Sequence, residues 1–333
     1  MLKKSLMKKS LMKKSLLWLS VFVLLLGVLT GCGQQAAKPQ EQTIQNQAQK
    51  QEETLKTTYP LTITDDTGTK VTITKEPRRI ISLIPSQTET LFALGLEGKV
   101  VAVTKYDNYP KDVQKKVEYV FQDGLNPNVE QIIKLKPDLI LLGSLNKKEL
   151  TAKIRELKIP VLQFDPQSLD AVYQTIEKVG LVTNTQQQAK EVISQMKEKE
   201  KSIKEKLAAL KPEQKVRVFV AVSPDLYTPG KGTFMDELIT KAGGINIVED
   251  QGWVQYNEEK IIKSNPQVIL TTYGYYDKNA AANIMKKEGW QNIDAIKNKR
   301  VIDLDSDLVN RPGPRIIDGL ESIAKALYPD LMK

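Results

Sequence analysis

The chain of 333 residues contains no histidine and a single cysteine, Cys32. Without imidazole there is no Ser-His-Asp triad and no histidine general base. Histidine-held zinc and histidine-held haem iron are excluded for the same reason, leaving only methionine or tyrosine to ligate a haem. One cysteine permits no disulfide within the chain. Arginine is scarce as well. The seven arginines (Arg78, Arg79, Arg155, Arg217, Arg300, Arg311 and Arg315) form no run dense enough for a highly charged anion such as a tricatecholate. The basic balance is mostly local: six of the nine net positive charges come from lysines at 3, 4, 8, 9, 13 and 14, leaving +3 for everything else. That removes the main support for nucleic-acid binding. The GKGT at 230–233 has its preceding glycine misplaced for a phosphate loop.

What the chain does have begins with a leader. A lysine-rich start is followed by an apolar run from Leu16 to Leu29 and then by small residues. Fourteen helical residues reach only about 21 Å, short of the ~30 Å of a bilayer core, so 1–31 reads as an export signal rather than a permanent span. Leu29-Thr30-Gly31-Cys32 resembles the lipobox of bacterial lipoproteins, which implies cleavage before Cys32 and lipidation of its thiol. Residues 32–57 are rich in Gln, Lys and Glu with little to bury, and read as a solvated, disordered tether.

Order begins near Tyr59. Two alternating runs around Asp66-Thr67-Gly68 predict a β-hairpin. "RIISLI" predicts a buried strand, "SQTETLFALG" a helix with a Ser86–Glu89 capping box and a Gly95 stop, and "KVVAVT" another strand. Strand, helix, strand is the grammar of a parallel sheet.

One unit is written twice. "NVEQIIKLKPDLIL" from Asn128 and "NEEKIIKSNPQVIL" from Asn257 agree at eight of fourteen positions and lie 129 residues apart. In each, the Asn is placed to cap a helix, an acid (Glu130 or Glu259) falls in its first turn, a proline stops it, and an apolar strand follows. An anion there stabilises a helix by about 0.3–1 kcal/mol, but that gives no reason for writing the unit twice. "RRIISLIPSQTETLFALG" also has a counterpart in "VRVFVAVSPDLYTPGKGTFMDELITKAGG". The fold class is α/β: two related lobes with parallel-type central sheets, at 58–167 and 213–333. The helical segment 168–212 joins them. Within it a helix from Ser168 is expected to end near Gly180, and a second, Thr185–Leu210, to span the lobes on one apolar stripe (Ala189, Val192, Ile193, Met196, Ile203, Leu207, Leu210).

Two α/β lobes, one long spanning helix, a lipobox and the "NPNVE…KPDLIL" unit resemble the class III substrate-binding lipoproteins of ABC importers, which carry ferric siderophores, haem or cobalamin. "YDNYP" and "RPGPRI" are most similar to the vitamin B12-binding branch. The resemblance covers about 58 to 333. It implies a monomer, lipid-anchored on the extracytoplasmic face of the cell membrane, with a ligand cleft between the lobes. It also implies that Glu130 and Glu259 dock onto a transmembrane permease dimer, and a two-fold partner is a reason for duplicated acids. Ligand contacts are implied at Tyr106, Phe121, Tyr227, Trp253, Leu308 and Asn310. A corrinoid is the expected cargo, with no resident cofactor or metal and no catalysis.

The lack of histidine disfavours the zinc- and manganese-carrying relatives, whereas cobalamin brings its own axial ligand. A ferric hydroxamate, neutral or cationic, is the alternative cargo. A surface enzyme or sensor on the same scaffold is a third reading, for which Asp303, Asp305 and Asp307 offer alternating acids on one strand face.

Overall fold

The computed structural model describes residues 56–333. The leader, Cys32 and nearly all of the tether lie outside the described residues. Residues Leu55–Lys333 form one compact unit. It opens with the expected hairpin, β1 (Leu61–Thr64) and β2 (Lys70–Ile73), paired antiparallel. Gly68 takes a φ of +79° in its turn, a conformation that glycine adopts without steric cost. Asp65, buried beneath the turn, accepts hydrogen bonds from the amides of Thr67 and Thr69.

The first lobe is built on β3 (Ile80–Ser82), α1 (Pro85–Ala93), β4 (Val100–Thr104), β5 (Tyr119–Phe121), α2 (Val129–Leu135), β6 (Leu139–Gly143), α3 (Lys148–Glu156) and β7 (Val161–Phe164). Its five strands are parallel in the order β5-β4-β3-β6-β7. Period-two alternation divides them between two cores. Ile80, Leu139 and Leu141 face one side. Ile81, Ile140 and Leu142 face the other, where Ile132 and Leu135 of α2 cover them.

Two antiparallel helices follow, α4 (Leu169–Thr183) and α5 (Gln186–Leu207). Ser168 caps α4 as expected, its side chain accepting from the Ala171 amide at 3.1 Å. The helix does not stop at Gly180. A Cβ there would sit 2.6 Å from the Cβ of Ala189, so this glycine lets α4 and α5 approach closely, and left-handed Asn184 ends the helix. The spanning helix is shorter at both ends than its periodicity suggests, 22 residues or about 33 Å. Its stripe is as expected: Ala189, Ile193, Met196, Ile203 and Leu207 are buried, and Val192 and Leu210 half-buried.

The second lobe contains β8 (Arg217–Ala221), β9 (Tyr227–Pro229), α6 (Phe234–Lys241), β10 (Ile245–Asn246), β11 (Trp253–Gln255), α7 (Glu258–Ser264), β12 (Val268–Thr271), α8 (Ala280–Met285), α9 (Asp294–Lys297), β13 (Val301–Asp303), α10 (Ser306–Asn310) and α11 (Ile316–Leu327). Strands β10-β8-β12-β13 form a parallel sheet, and β9 and β11 an antiparallel ribbon beside it. One hydrophobic core runs without a break from the first sheet through α4 and α5 to α11 and the second sheet. The far face of the second sheet carries its own core around Phe219, Ile269 and the fully buried Trp290, with Ile261 of α7 packed into it. Both α2 and α7 therefore lie on the sheet face turned away from the helical hairpin. The chain is α/β with parallel sheets in two lobes, as its sequence predicts.

Two local expectations fail. Ser86 does not cap α1; the helix starts at Pro85, with Ile84 at the cap position and no side-chain cap. Glu89 turns instead to two arginines more than two hundred residues away. The alternating acids near the end do not share a strand face, because β13 stops at Asp303. Asp305 caps α10 and Asp307 pairs with Arg311. Among the described residues no cluster of acids could hold a metal ion, and no helix is long and apolar enough to cross a membrane.

Candidate functional site

In a parallel sheet the loops leaving the carboxyl ends of the strands are where ligands sit. Here such loops from both lobes converge on two adjoining hollows that share Ile84 and Leu145. The larger, about 410 Å³, is lined from the first lobe by Ile84, Ser86, Ser144, Leu145, Phe164 and Gln167, and from the second by Val222, Phe234, Met235, Trp253, Asn310 and Pro312. The smaller, about 320 Å³, lies among Leu83, Tyr106, Leu125 and Asn146 of the first lobe. Both volumes lie in the range of small-molecule sites. The only charged residue lining either hollow is Asp165.

Of the residues expected to touch a ligand, Tyr106 and Trp253 line these hollows and are 58% and 44% exposed. Tyr227 stacks on Trp253 with centroids 6.1 Å apart and planes 17° from parallel. The pairing of β9 with β11 makes this stack, since both rings stand on one two-stranded ribbon. Asn310 lines the larger hollow, and Leu308 is half-buried against the main core. Phe121 is a correction. It is 2% exposed, turned by the alternation of β5 into the core beneath the sheet, where it meets Tyr119 edge-on. Leu125, four residues further along, faces the cleft instead.

Several cleft residues gave no motif in the sequence, among them Leu145, Phe234 and Met235. The signal available was position: Leu145 follows a buried parallel strand by two residues and is still 73% exposed. Among the described residues six aromatics are exposed: Tyr106, Tyr109, Tyr227, Trp253, Tyr275 and Tyr276. All six lie on the loops leaving β4 and β12 or on the β9–β11 ribbon.

The arginines nearest the cleft are already committed. The Arg311 guanidinium donates to Glu89 at 3.0 Å, to Asn108 Oδ1 at 2.7 Å and to the Tyr106 carbonyl at 3.1 Å, and pairs with Asp307 at 2.8 Å. Arg315 donates to both oxygens of Glu89, at 2.9 and 2.7 Å, and lies over the ring of Tyr109. Behind the Tyr106 loop is Asp107, whose carboxyl is pushed up by burial although Thr104 donates to it from both amide and hydroxyl.

The duplicated unit is a structural repeat. Asn128 accepts from the amides of Glu130 and Gln131, and Asn257 from those of Glu259 and Lys260. Each caps a seven-residue helix that ends in a left-handed residue, Lys136 or Asn265, one step before the proline and the next parallel strand. The repeat extends to an arginine at the start of the first parallel strand of each lobe, β3 or β8. Arg79 donates to the Leu135 carbonyl, and Arg217 to those of Ser264 and Asn265, so a guanidinium closes the C-terminus of each helix. Glu130 and Glu259 are exposed and form no ion pair among the described residues. Glu258, beside Glu259, is taken up by Lys287 and the Trp290 indole.

A model of the periplasmic binding proteins matches residues 80–308, well over half of the chain. The chain belongs to the periplasmic binding protein family. It is 42% identical over 321 residues to an uncharacterized ABC transporter substrate-binding lipoprotein, YvrC of Bacillus subtilis, covering 94% of this chain and 97% of that one. It is 29% identical to the vitamin B12-binding protein of Vibrio cholerae over 75% of this chain and 88% of that protein. Among solved structures, a possible iron-binding, periplasmic solute-binding protein of Staphylococcus epidermidis is 37% identical with a TM-score of 0.69. It matches 76% of this chain and its own whole length. The Vibrio cholerae B12-binding structure gives a TM-score of 0.62 at 28% identity, over 75% of this chain and 96% of that one. This member is thus an extracytoplasmic substrate-binding protein of the kind that serves ABC transporters, and its neighbours carry more than one class of cargo.

Proposed function

We propose that this periplasmic binding protein captures a corrinoid between its lobes and delivers it to an ABC importer. One observation carries the choice of cargo: no cation lines either hollow, and the two flanking arginines are neutralised by Glu89 and Asp307. An anionic siderophore would find no free guanidinium to pair with. A corrin ring, with broad apolar faces and amides at its rim, matches a site of exposed aromatic rings and neutral side chains such as Ser86, Ser144, Gln167 and Asn310. In this reading Tyr106 and Trp253 face the macrocycle, Tyr227 backs Trp253, and Asn310 meets the edge. The cobalamin-binding names of the Vibrio cholerae relative and of a Halobacterium salinarum relative, 27% identical, agree with it.

A neutral or cationic ferric hydroxamate is the second reading, favoured by the Staphylococcus epidermidis structure described as possibly iron-binding. In both readings lipidation of Cys32 tethers the protein to the outer face of the membrane, and Glu130 and Glu259 meet the permease, one per lobe.

A thermal-shift panel tests the cargo. A ligand at about 100 times its Kd adds ~2.7 kcal/mol of stability, which moves a domain of this size by several degrees. Cyanocobalamin is expected to raise Tm, and a ferric tricatecholate, haem and molybdate to leave it unchanged. A shift with the tricatecholate but not with cyanocobalamin would overturn the charge argument.

A further inference from the structure

The network around Glu89 joins three segments that are remote in sequence: α1, the loop after β4, and the stretch Arg311–Arg315 between α10 and α11. Glu89 is 3% exposed and accepts from both arginines. Four contacts use the two terminal nitrogens of Arg311: Glu89 and Asn108 at Nη1, Tyr106 O and Asp307 at Nη2. Asn108 in turn donates to Asp307 at 2.6 Å. Backbone approaches backbone here too, since a Cβ on Gly313 would lie 2.9 Å from the Ser86 carbonyl. Two guanidinium and two carboxylate charges balance within the cluster. Removing one member leaves a shielded charge without its partner, which costs far more than an exposed pair is worth.

We infer that Glu89 is a positioning residue for ligand capture: by orienting Arg311 and Arg315 it clasps the second lobe to the Tyr106 loop of the first. The contacts carry this order of action. Tyr106 has no side-chain hydrogen bond among the described residues, and its ring is exposed, with the Lys105 ammonium 5.1 Å from the centroid. The loop is held instead from behind, through its own carbonyl, by an arginine whose direction is set by Glu89. Glu89 lines neither hollow. The clasp rests on the proposed cleft only for its consequence in binding; its effect on the loop is independent of any ligand.

The test uses Gly33–Lys333, which keeps every described residue, with Glu89→Gln and, as a second variant, Arg311→Lys, which keeps the charge but loses the planar fork. Hydrogen exchange at amides 105–109 is expected to quicken about tenfold in both, with β4 itself unchanged, because local opening rather than global unfolding is released. Cyanocobalamin affinity is then measured in a cycle with Tyr106→Ala. Glu89→Gln is expected to weaken binding about tenfold in the parent and less than threefold once Tyr106 is gone, the non-additivity of residues acting through one another. A merely structural Glu89 would cost the same in both backgrounds, and that result, or unchanged exchange at 105–109, overturns the inference. If no variant binds cyanocobalamin, the corrinoid reading fails and the same cycle, run with a ferric trihydroxamate, decides the clasp.

Discussion

Replacing Glu130 and Glu259 together by alanine separates capture from delivery. Each carboxylate sits in the first turn of a seven-residue helix whose N-cap asparagine already satisfies two amides, so the alanines remove only the favourable anion–dipole term. That is worth about 0.3–1 kcal/mol per site in exposed positions, and the two sites add because they share no partners. The pair therefore costs roughly 0.6–2 kcal/mol and lowers Tm by a few degrees. Neither residue lines the cleft, so ligand affinity is expected to stay within about twofold. At the permease the effect is larger, because rim charges govern encounter and orientation: association is expected to slow at least tenfold at low salt, with the difference shrinking as salt screens it. The assay is ligand-dependent ATPase stimulation of the reconstituted importer, run beside the binding titration. Stimulation at the parental level with both acids gone would refute the docking assignment, and lost ligand affinity would show that the acids serve the fold instead.

Trp253→Ala probes the cleft. With 44% of a side chain that buries up to ~250 Å² open to ligand, covering half of that exposed area contributes about 1.5 kcal/mol, so cyanocobalamin binding should weaken about tenfold with little change in Tm by calorimetry. Gly274→Ala would place a Cβ 1.7 Å from a carboxylate oxygen of Asp303, which accepts from Thr271 and from the Gly274 amide, and is expected to cost ~1–3 kcal/mol in chemical denaturation. Asp107 is held above the ordinary carboxylate range by burial, so the folded state binds its proton more tightly than the unfolded chain does. Its contribution to stability is full below the unfolded value of about 4 and falls as pH rises through the folded one. Asp107→Asn should remove that downward slope in a Tm-against-pH series, and an unchanged slope would contradict the assignment.

What could be read from the sequence was what short-range physics decides. The Asn-x-Glu start, the proline stop and the apolar strand of each repeat are local, and the caps form at both copies as the spacing predicts. The stripe of α5 is legible because a single helix face meets a continuous core. Long-range pairing was not legible. Ser86 and Glu89 have the spacing of a capping box, yet the carboxylate goes to arginines 222 and 226 positions away, a choice no window of sequence contains. That pairing also decides the electrostatics of the cleft, since it neutralises the two arginines that a linear reading leaves free. Phe121 was placed at the ligand only by resemblance to relatives, and the alternation of β5 turns it into the core instead. The aromatics of "YGYY" after β12 carried no motif, and only the topology sets them at a strand end.

The central claim is the corrinoid. Calorimetric titration of the chain from Gly33 to Lys333 with cyanocobalamin tests it most directly, with a ferric hydroxamate titrated in parallel. The account predicts tight one-to-one binding of cyanocobalamin and none of the hydroxamate. Heat from the hydroxamate alone would contradict it, leaving the family, the fold and the duplicated acids in place with a different cargo between the lobes.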